Sequence, residues 1–246
     1  MTIAQLVPGA AVTQFAVLDA LLAGAYESGI SVADLRALGD LGLGCCDHLG
    51  GEVLLLNGEA FECTSDGLVT RMRSDEILPF AVVCDFGVVD AHPIADVDLA
   101  TLVERIEAAL VSRNLFHAVR IDGVLASVRV RVTPRQHHPF RPLAEVTSEQ
   151  IETVINDARG TLVGFWVPAI YQGISVAGLH LHFVADDRSV GGHVLDLSVR
   201  AAELRIAAYA RFDLRLPTDE LFLRSELTHA DDHRIVAVEA GGASRG

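Results

Sequence analysis

GLHLHFVADDRSVGGH, residues 178–193, carries three of the ten histidines in a chain of 246 residues. In a strand, residues two apart share a face. His180, His182 and Val184 then point one way, and Leu179, Leu181 and Phe183 point into a core. ADDRSVGG supplies a turn. A hairpin that sets His182 across from His193 leaves His180 diagonally opposite, and such neighbours are close enough for three imidazoles to reach one point. Nitrogen ligands at roughly 2.0–2.1 Å from a divalent metal suit that arrangement, and three protein ligands leave positions open, as in catalytic sites. The plainer alternative is three polar residues on a solvent-facing sheet; a third histidine at hairpin-compatible spacing favours the metal. Asp186 and Asp187 read as turn residues, and Asp196 has the wrong parity to join the histidine face.

Outward from this stretch, residues 161–170, 178–184, 193–199, 203–213 and 220–227 read as strands. EVLLLNGEAFEC reads as a hairpin turning at Asn57-Gly58. Residues 79–89 form a buried strand. FHAVRIDGVLASVRVRV (116–132) reads as a second hairpin turning at Asp122-Gly123, with Val128, Val130 and Val132 opposite Arg129 and Arg131. Helices are expected over 13–23, 31–38 and 100–112, and, from a Thr147-x-x-Gln150 cap, to about Arg159. Three prolines make 134–145 a loop. It divides one unit spanning 1–246 into lobes at 10–140 and 146–240, with disordered tails ending in GGASRG. The class is α+β: two-lobed, mostly mixed or antiparallel β-sheets with a few flanking helices.

Composition removes several functions. A net charge of −14 leaves no basic footprint for nucleic acid or an anionic membrane. All 19 basic residues are arginine, so Schiff-base, pyridoxal-phosphate and Walker-type lysines are excluded. Cys45, Cys46, Cys63 and Cys84 form no C-x-x-C pair and read as buried reduced thiols. No basic segment precedes the apolar residues near Met1, so no signal peptide is expected, and a cytoplasmic enzyme is. Gly160 to Ala185 is uncharged apart from its histidines, but Pro168, Gln172 and its glycines suit buried strands better than a membrane helix. Gly173-Ile-Ser175-Val-Ala177 falls one residue short of a serine-hydrolase elbow and lacks its strand-to-helix setting.

The stretch from Gly160 to Leu197, with its G-F-W-x-P, H-x-H and G-G-H, resembles the α-acetolactate decarboxylase family. DALLAG (19–24), GDLGLG (39–44), Gly-Glu before the Asn57-Gly58 hairpin, PFAVV (79–83) and R-V-T-P-R-Q (131–136) extend the resemblance over roughly 12–239. It implies zinc held by His180, His182 and His193, with Glu239 as an additional ligand by a short VAVE match. It implies Glu52 and Arg131 as the active-site glutamate and arginine, acetolactate as substrate, and a homodimer. The chain departs from the family's G-x-G-T-F and L-D-G-E, with Gly44-Cys45-Cys46 and Leu49-Gly50-Gly51-Glu52 in their place. Glu52 survives, so a reshaped pocket wall is expected.

Acetolactate is a 3-oxo acid, and its ketone can receive the electrons left by CO2. With no lysine to form an iminium, a Lewis acid must stabilise the enediolate as its charge develops. Glu52 is then the candidate donor of the proton that completes acetoin, and Arg131 orients the carboxylate or follows charge onto the enediolate. Two other readings compete. A cupin-like dioxygenase or isomerase would add a carboxylate soon after H-x-H, where Asp186 and Asp187 align. A non-catalytic binding protein with a vestigial pocket would account for the altered 42–52 segment.

Overall fold

The computed structural model describes residues 3–227. Short strands β1 (Gln5–Leu6) and β2 (Val12–Phe15) lead into helix α1 (Leu18–Leu22). β3 (Ile30–Ser31) runs into α2 (Val32–Arg36), where the Ser31 hydroxyl accepts from the Asp34 N–H. β4 (Leu41–Cys45), β5 (Glu52–Leu56), β6 (Glu59–Cys63), β7 (Val69–Arg71), β8 (Ile77–Leu78) and β9 (Phe80–Cys84) follow. Next come β10 (His92–Asp98), α3 (Leu99–Ala109), β11 (Phe116–Val132), α4 (Leu143–Val146), β12 (Ile151–Val167), β13 (Gly178–Ala185), β14 (Gly191–Tyr209), β15 (Phe212–Arg215) and α5 (Glu220–Arg224).

Two large sheets pack face to face. One has the order β15-β2-β9-β4-β5-β6-β7; the other is built on the long strands β14, β11, β12 and β13, with β1 and β10 added at β14. Among the named strands of the described residues, only β1 on β14 and β15 on β2 pair in parallel. Leu41, Leu43, Leu54 and Leu56 of the first sheet meet Val163, Phe165, Val184 and Tyr209 of the second, as the period-2 alternation of apolar residues requires. Leu102 and Ile106 of α3 cover the far side of the long-stranded sheet, against Val119, Ile121 and Leu204. Val32 and Leu35 of α2 cover the far side of the other, against Val53, Leu55 and Val83. The sheets do not follow the division expected near 134–145: β11 pairs with β12 and β14, and β15 joins the sheet of β2. Among the described residues no helix is long and apolar enough to cross a membrane.

Several elements differ from the sequence expectation. Residues 116–132 are one 17-residue strand, not a hairpin. Gly123 pairs with Gly160 on one side and Ala202 on the other, and an added Cβ would lie 2.4 Å from the Ala201 carbonyl oxygen. That glycine serves close strand approach rather than a turn. Residues 147–159 are not a helix. A short 3-10 turn at Thr147–Glu149 precedes β12, whose Ile151, Thr153, Val154 and Ile155 are β-branched and favour extended backbone. The expected strands at 193–199 and 203–213 are largely one 19-residue strand, β14. The expected strand at 220–227 gives way to α5, capped by Asp219, whose carboxylate accepts from the Phe222 N–H at 3.0 Å. The helix expected over 13–23 is shortened to α1 by β2, and β10 was not foreseen. The Asn57-Gly58 turn is present, with φ of 53° and 75° at the two residues, the left-handed pair such a turn requires.

Candidate metal centre and its cavity

The histidine face forms where the long-stranded sheet closes on itself. β13 pairs with β12 along its whole length but with β14 only through His182↔His193, Phe183↔Gly192 and Val184↔Gly191. β14 then turns to β11, where His193 stands opposite Arg131. His193 is thus flanked by His182 on one side and Arg131 on the other. Glycines make this closure possible. A Cβ on Gly164 would lie 2.1 Å from the His180 carbonyl oxygen, one on Gly191 2.5 Å from Cys63 Sγ, and one on Gly192 2.6 Å from the Arg131 carbonyl oxygen.

His180 Nε2 lies 3.0 Å from His193 Nδ1, and one ring nitrogen from each of His180, His182 and His193 falls within 4.8 Å of the others. His182 Nδ1 lies 3.0 Å from the Val53 carbonyl oxygen. A carbonyl only accepts, so Nδ1 carries the proton and Nε2 presents its lone pair to the cavity. A backbone carbonyl behind the ring is the usual partner of a metal-ligating histidine. Burial holds His180 down to about 3, with the Arg131 charge adding to it, and holds His182 well below the ordinary imidazole value. Both rings are therefore neutral at pH 7, the form that binds metal. Three converging imidazoles from two strands, two of them buried and His180 partly so, fit a divalent metal such as zinc.

Glu52 opens β5 and sits in register between Cys45 of β4 and Cys63 of β6. Its Oε2 lies 3.4 Å from His182 Nε2. The approach to it is tight. His48 and Leu49 both adopt left-handed backbone, and a Cβ on Gly51 would lie 2.4 Å from the Cys63 carbonyl oxygen. Arg131 is buried, and its guanidinium donates to Gln150 Oε1 at 3.1 Å. Gln150, expected to cap a helix, instead holds this arginine. The three histidines, Glu52 and Arg131 all line one cavity of about 50 Å³, whose apolar walls come from β4 and β9, from α1 and α4, and from Leu49 and Val176. At roughly 10–15 Å³ per water, it holds a few waters.

Thr133, buried and lining the same cavity, was missed in the sequence, although its spacing of two from Arg131 puts it on the same face. The Val53 carbonyl had no sequence signal. Asp186 and Asp187 are exposed in the β13–β14 turn, outside the cavity, and Asp196 is exposed too. Neither of the two carboxylates that align with a cupin-like pattern, Asp186 and Asp187, is therefore among the cavity-lining residues. Glu239 lies outside the described residues.

The departures from the family pattern also find their places. Cys45 lines the cavity, while Cys46 turns to the opposite side of the sheet, among Val53 and Leu55. Burial first, and the Glu52 carboxylate second, push the Cys45 thiol far up, so it stays protonated. A Cβ at Gly50 would come within 3.0 Å of Arg135 Cγ. An aspartate there would meet Arg135; in this chain Asp47 does, accepting from its guanidinium at 3.0 Å.

The family model for alpha-acetolactate decarboxylase matches residues 12–229. The α-acetolactate decarboxylase of Raoultella terrigena is 36% identical over 238 residues, 94% of this chain and 90% of that protein. That of Bacillus subtilis strain 168 is 33% identical over 235 residues, 95% and 92% of the two chains. A crystal structure of the B. subtilis strain 168 protein superposes with a TM-score of 0.90, covering 94% of this chain and 99% of that one. A Staphylococcus aureus structure described as similar to α-acetolactate decarboxylase also gives 0.90, at 30% identity, covering 93% of this chain and 100% of that one.

Proposed function

The chain belongs to the α-acetolactate decarboxylase family, a family of carboxy-lyases, and from that premise we propose that it converts 2-acetolactate to acetoin and CO2 at a zinc ion held by His180, His182 and His193. The observation that carries the reading is the convergence of three imidazole nitrogens within 4.8 Å, beside a carboxylate and a guanidinium. When bound, the metal supplies a Lewis acid for the ketone and hydroxyl oxygens of the substrate, where negative charge develops as CO2 leaves. Glu239 is carried along as a further ligand on the family resemblance alone.

Arg131 binds the substrate carboxylate and orients the scissile bond. Holding a carboxylate tightly would stabilise the ground state and oppose its loss, so the useful part of this contact follows charge from the carboxylate onto the enediolate. Glu52 delivers a proton to the carbon that has lost CO2, completing acetoin, and is reprotonated from solvent. Its place beside His182, on one wall of the cavity, directs that proton to one face of the enediolate. The apolar walls exclude bulk water and keep these charges effective. Incubating purified protein with racemic acetolactate should yield acetoin and CO2 in equal amounts, well above the spontaneous rate. No acetoin above that rate would defeat the reading.

A further inference from the structure

Gln150 is placed where a cation and an anion meet. Arg131 of β11 stands in register with Glu152 of β12, and side chains so paired share one face of the sheet. A direct ion pair between them is what the register alone invites. The Glu152 carboxylate goes elsewhere: one oxygen accepts from the Arg129 guanidinium at 3.0 Å and the other from Gln150 Nε2 at 2.8 Å. The carbonyl end of the same amide accepts from Arg131 Nη1 at 3.1 Å. Arg131, Gln150, Glu152 and Arg129 thus form one chain of hydrogen bonds, with the amide between a buried guanidinium and an exposed carboxylate.

Chemistry fixes which way that amide points. A guanidinium only donates and an ionised carboxylate only accepts, so Oε1 must face Arg131 and Nε2 must face Glu152. No charged side chain serves both neighbours, because a carboxylate at 150 would hold Arg131 and repel Glu152. The amide therefore anchors the guanidinium through a neutral acceptor, and this contact holds the group without cancelling its charge. Glu152 is balanced instead by Arg129, outside the cavity. The distinction matters where an anion is to be bound, because a charge set against a buried guanidinium is weakly screened.

We propose that Gln150 is a positioning residue for Arg131, which turns the guanidinium toward the cavity and keeps the Glu152 charge off it, so that the cavity prefers carboxylate ligands to neutral ones. This rests on the decarboxylase reading above, in which Arg131 receives the substrate carboxylate.

The test exchanges the amide and the carboxylate. Gln150→Glu combined with Glu152→Gln keeps the chain of hydrogen bonds and the net charge, and moves one negative charge next to Arg131. Calorimetry on the natural chain and this variant uses two ligands that cannot lose CO2 to a ketone: 2-hydroxy-2-methylpropanoate, a carboxylate, and acetoin, which is neutral. The exchange should weaken the carboxylate about 10-fold or more, leave acetoin and metal content unchanged, and raise KM for acetolactate in parallel. Gln150→Met removes the hydrogen bonds and adds no charge. It should lower kcat about 10-fold through lost orientation of Arg131, with a smaller change in KM than the exchange produces. Carboxylate affinity unmoved by the exchange, an equal loss for both ligands, or a natural kcat in Gln150→Met would overturn the inference. A natural chain that leaves acetolactate untouched defeats the proposed function, while the comparison of the two ligands still decides the role of Gln150.

Discussion

His117 and His182 are both buried, and both lose basicity to burial, yet they do different work. His117 has each ring nitrogen answered by backbone: Nδ1 lies 3.0 Å from the Leu115 carbonyl oxygen, and Nε2 accepts from the Val111 N–H at 3.2 Å. It ties the end of α3 to the start of β11. His182 gives only Nδ1 to backbone, at Val53, and turns Nε2 into the cavity with two other imidazoles and Glu52. Burial and a depressed pKa therefore do not distinguish a structural histidine from a metal ligand. The direction of the second nitrogen does.

That contrast breaks most sharply by exchange of roles. His182→Ala should strip the metal and lower kcat/KM by at least about 10³-fold, since a Lewis acid supplies several kcal/mol to the barrier. Metal analysis and kinetics on one sample check it. Glu52→Gln should keep the metal and substrate affinity but lower kcat about 10²–10⁴-fold; a fully active variant removes Glu52 as proton donor. Arg131→Ala should lower kcat/KM about 10²-fold through lost orientation at unchanged metal content. His117→Ala should leave metal content alone and cost about 1–3 kcal/mol of stability through the orphaned Val111 and Leu115 backbone groups, read by denaturant unfolding.

A further effect of His117, on stability rather than activity, is in pH. His117 falls from about 6.5 unfolded to about 4 in the fold, because burial opposes its charge. The unfolded chain then binds more protons between those values. The stability owed to the neutral ring is complete above pH 6.5 and drains away as pH falls toward 4, by about 3 kcal/mol in all. His117→Ala should flatten that part of the stability profile; an unaltered slope would mean that the ring is not the titrating group.

The histidine hairpin was legible because strand parity and turn length constrain it from both ends, and the register His182↔His193 is the one parity asks for. The turn at Asn57-Gly58 was legible for a similar reason, since its residue types are needed at positive φ. Asp122-Gly123 carries nearly the same signal and misleads. Sequence does not say whether a glycine admits a turn or a neighbouring strand, and here it admits β14. Thr147-x-x-Gln150 looked like a cap because Gln150 has the right chemistry, but that side chain is spent on Arg131. The side chains Glu52 and Arg131 share a cavity only through the packing of two sheets, which local periodicity cannot reveal. The family resemblance supplied both residues.

The most direct measurement is metal content and acetoin formation on the same sample, before chelation, after it, and after zinc is restored. The account predicts about one metal per chain, acetoin formation lost with the metal, and recovery on adding zinc back. Undiminished acetoin formation by fully metal-free protein would contradict it.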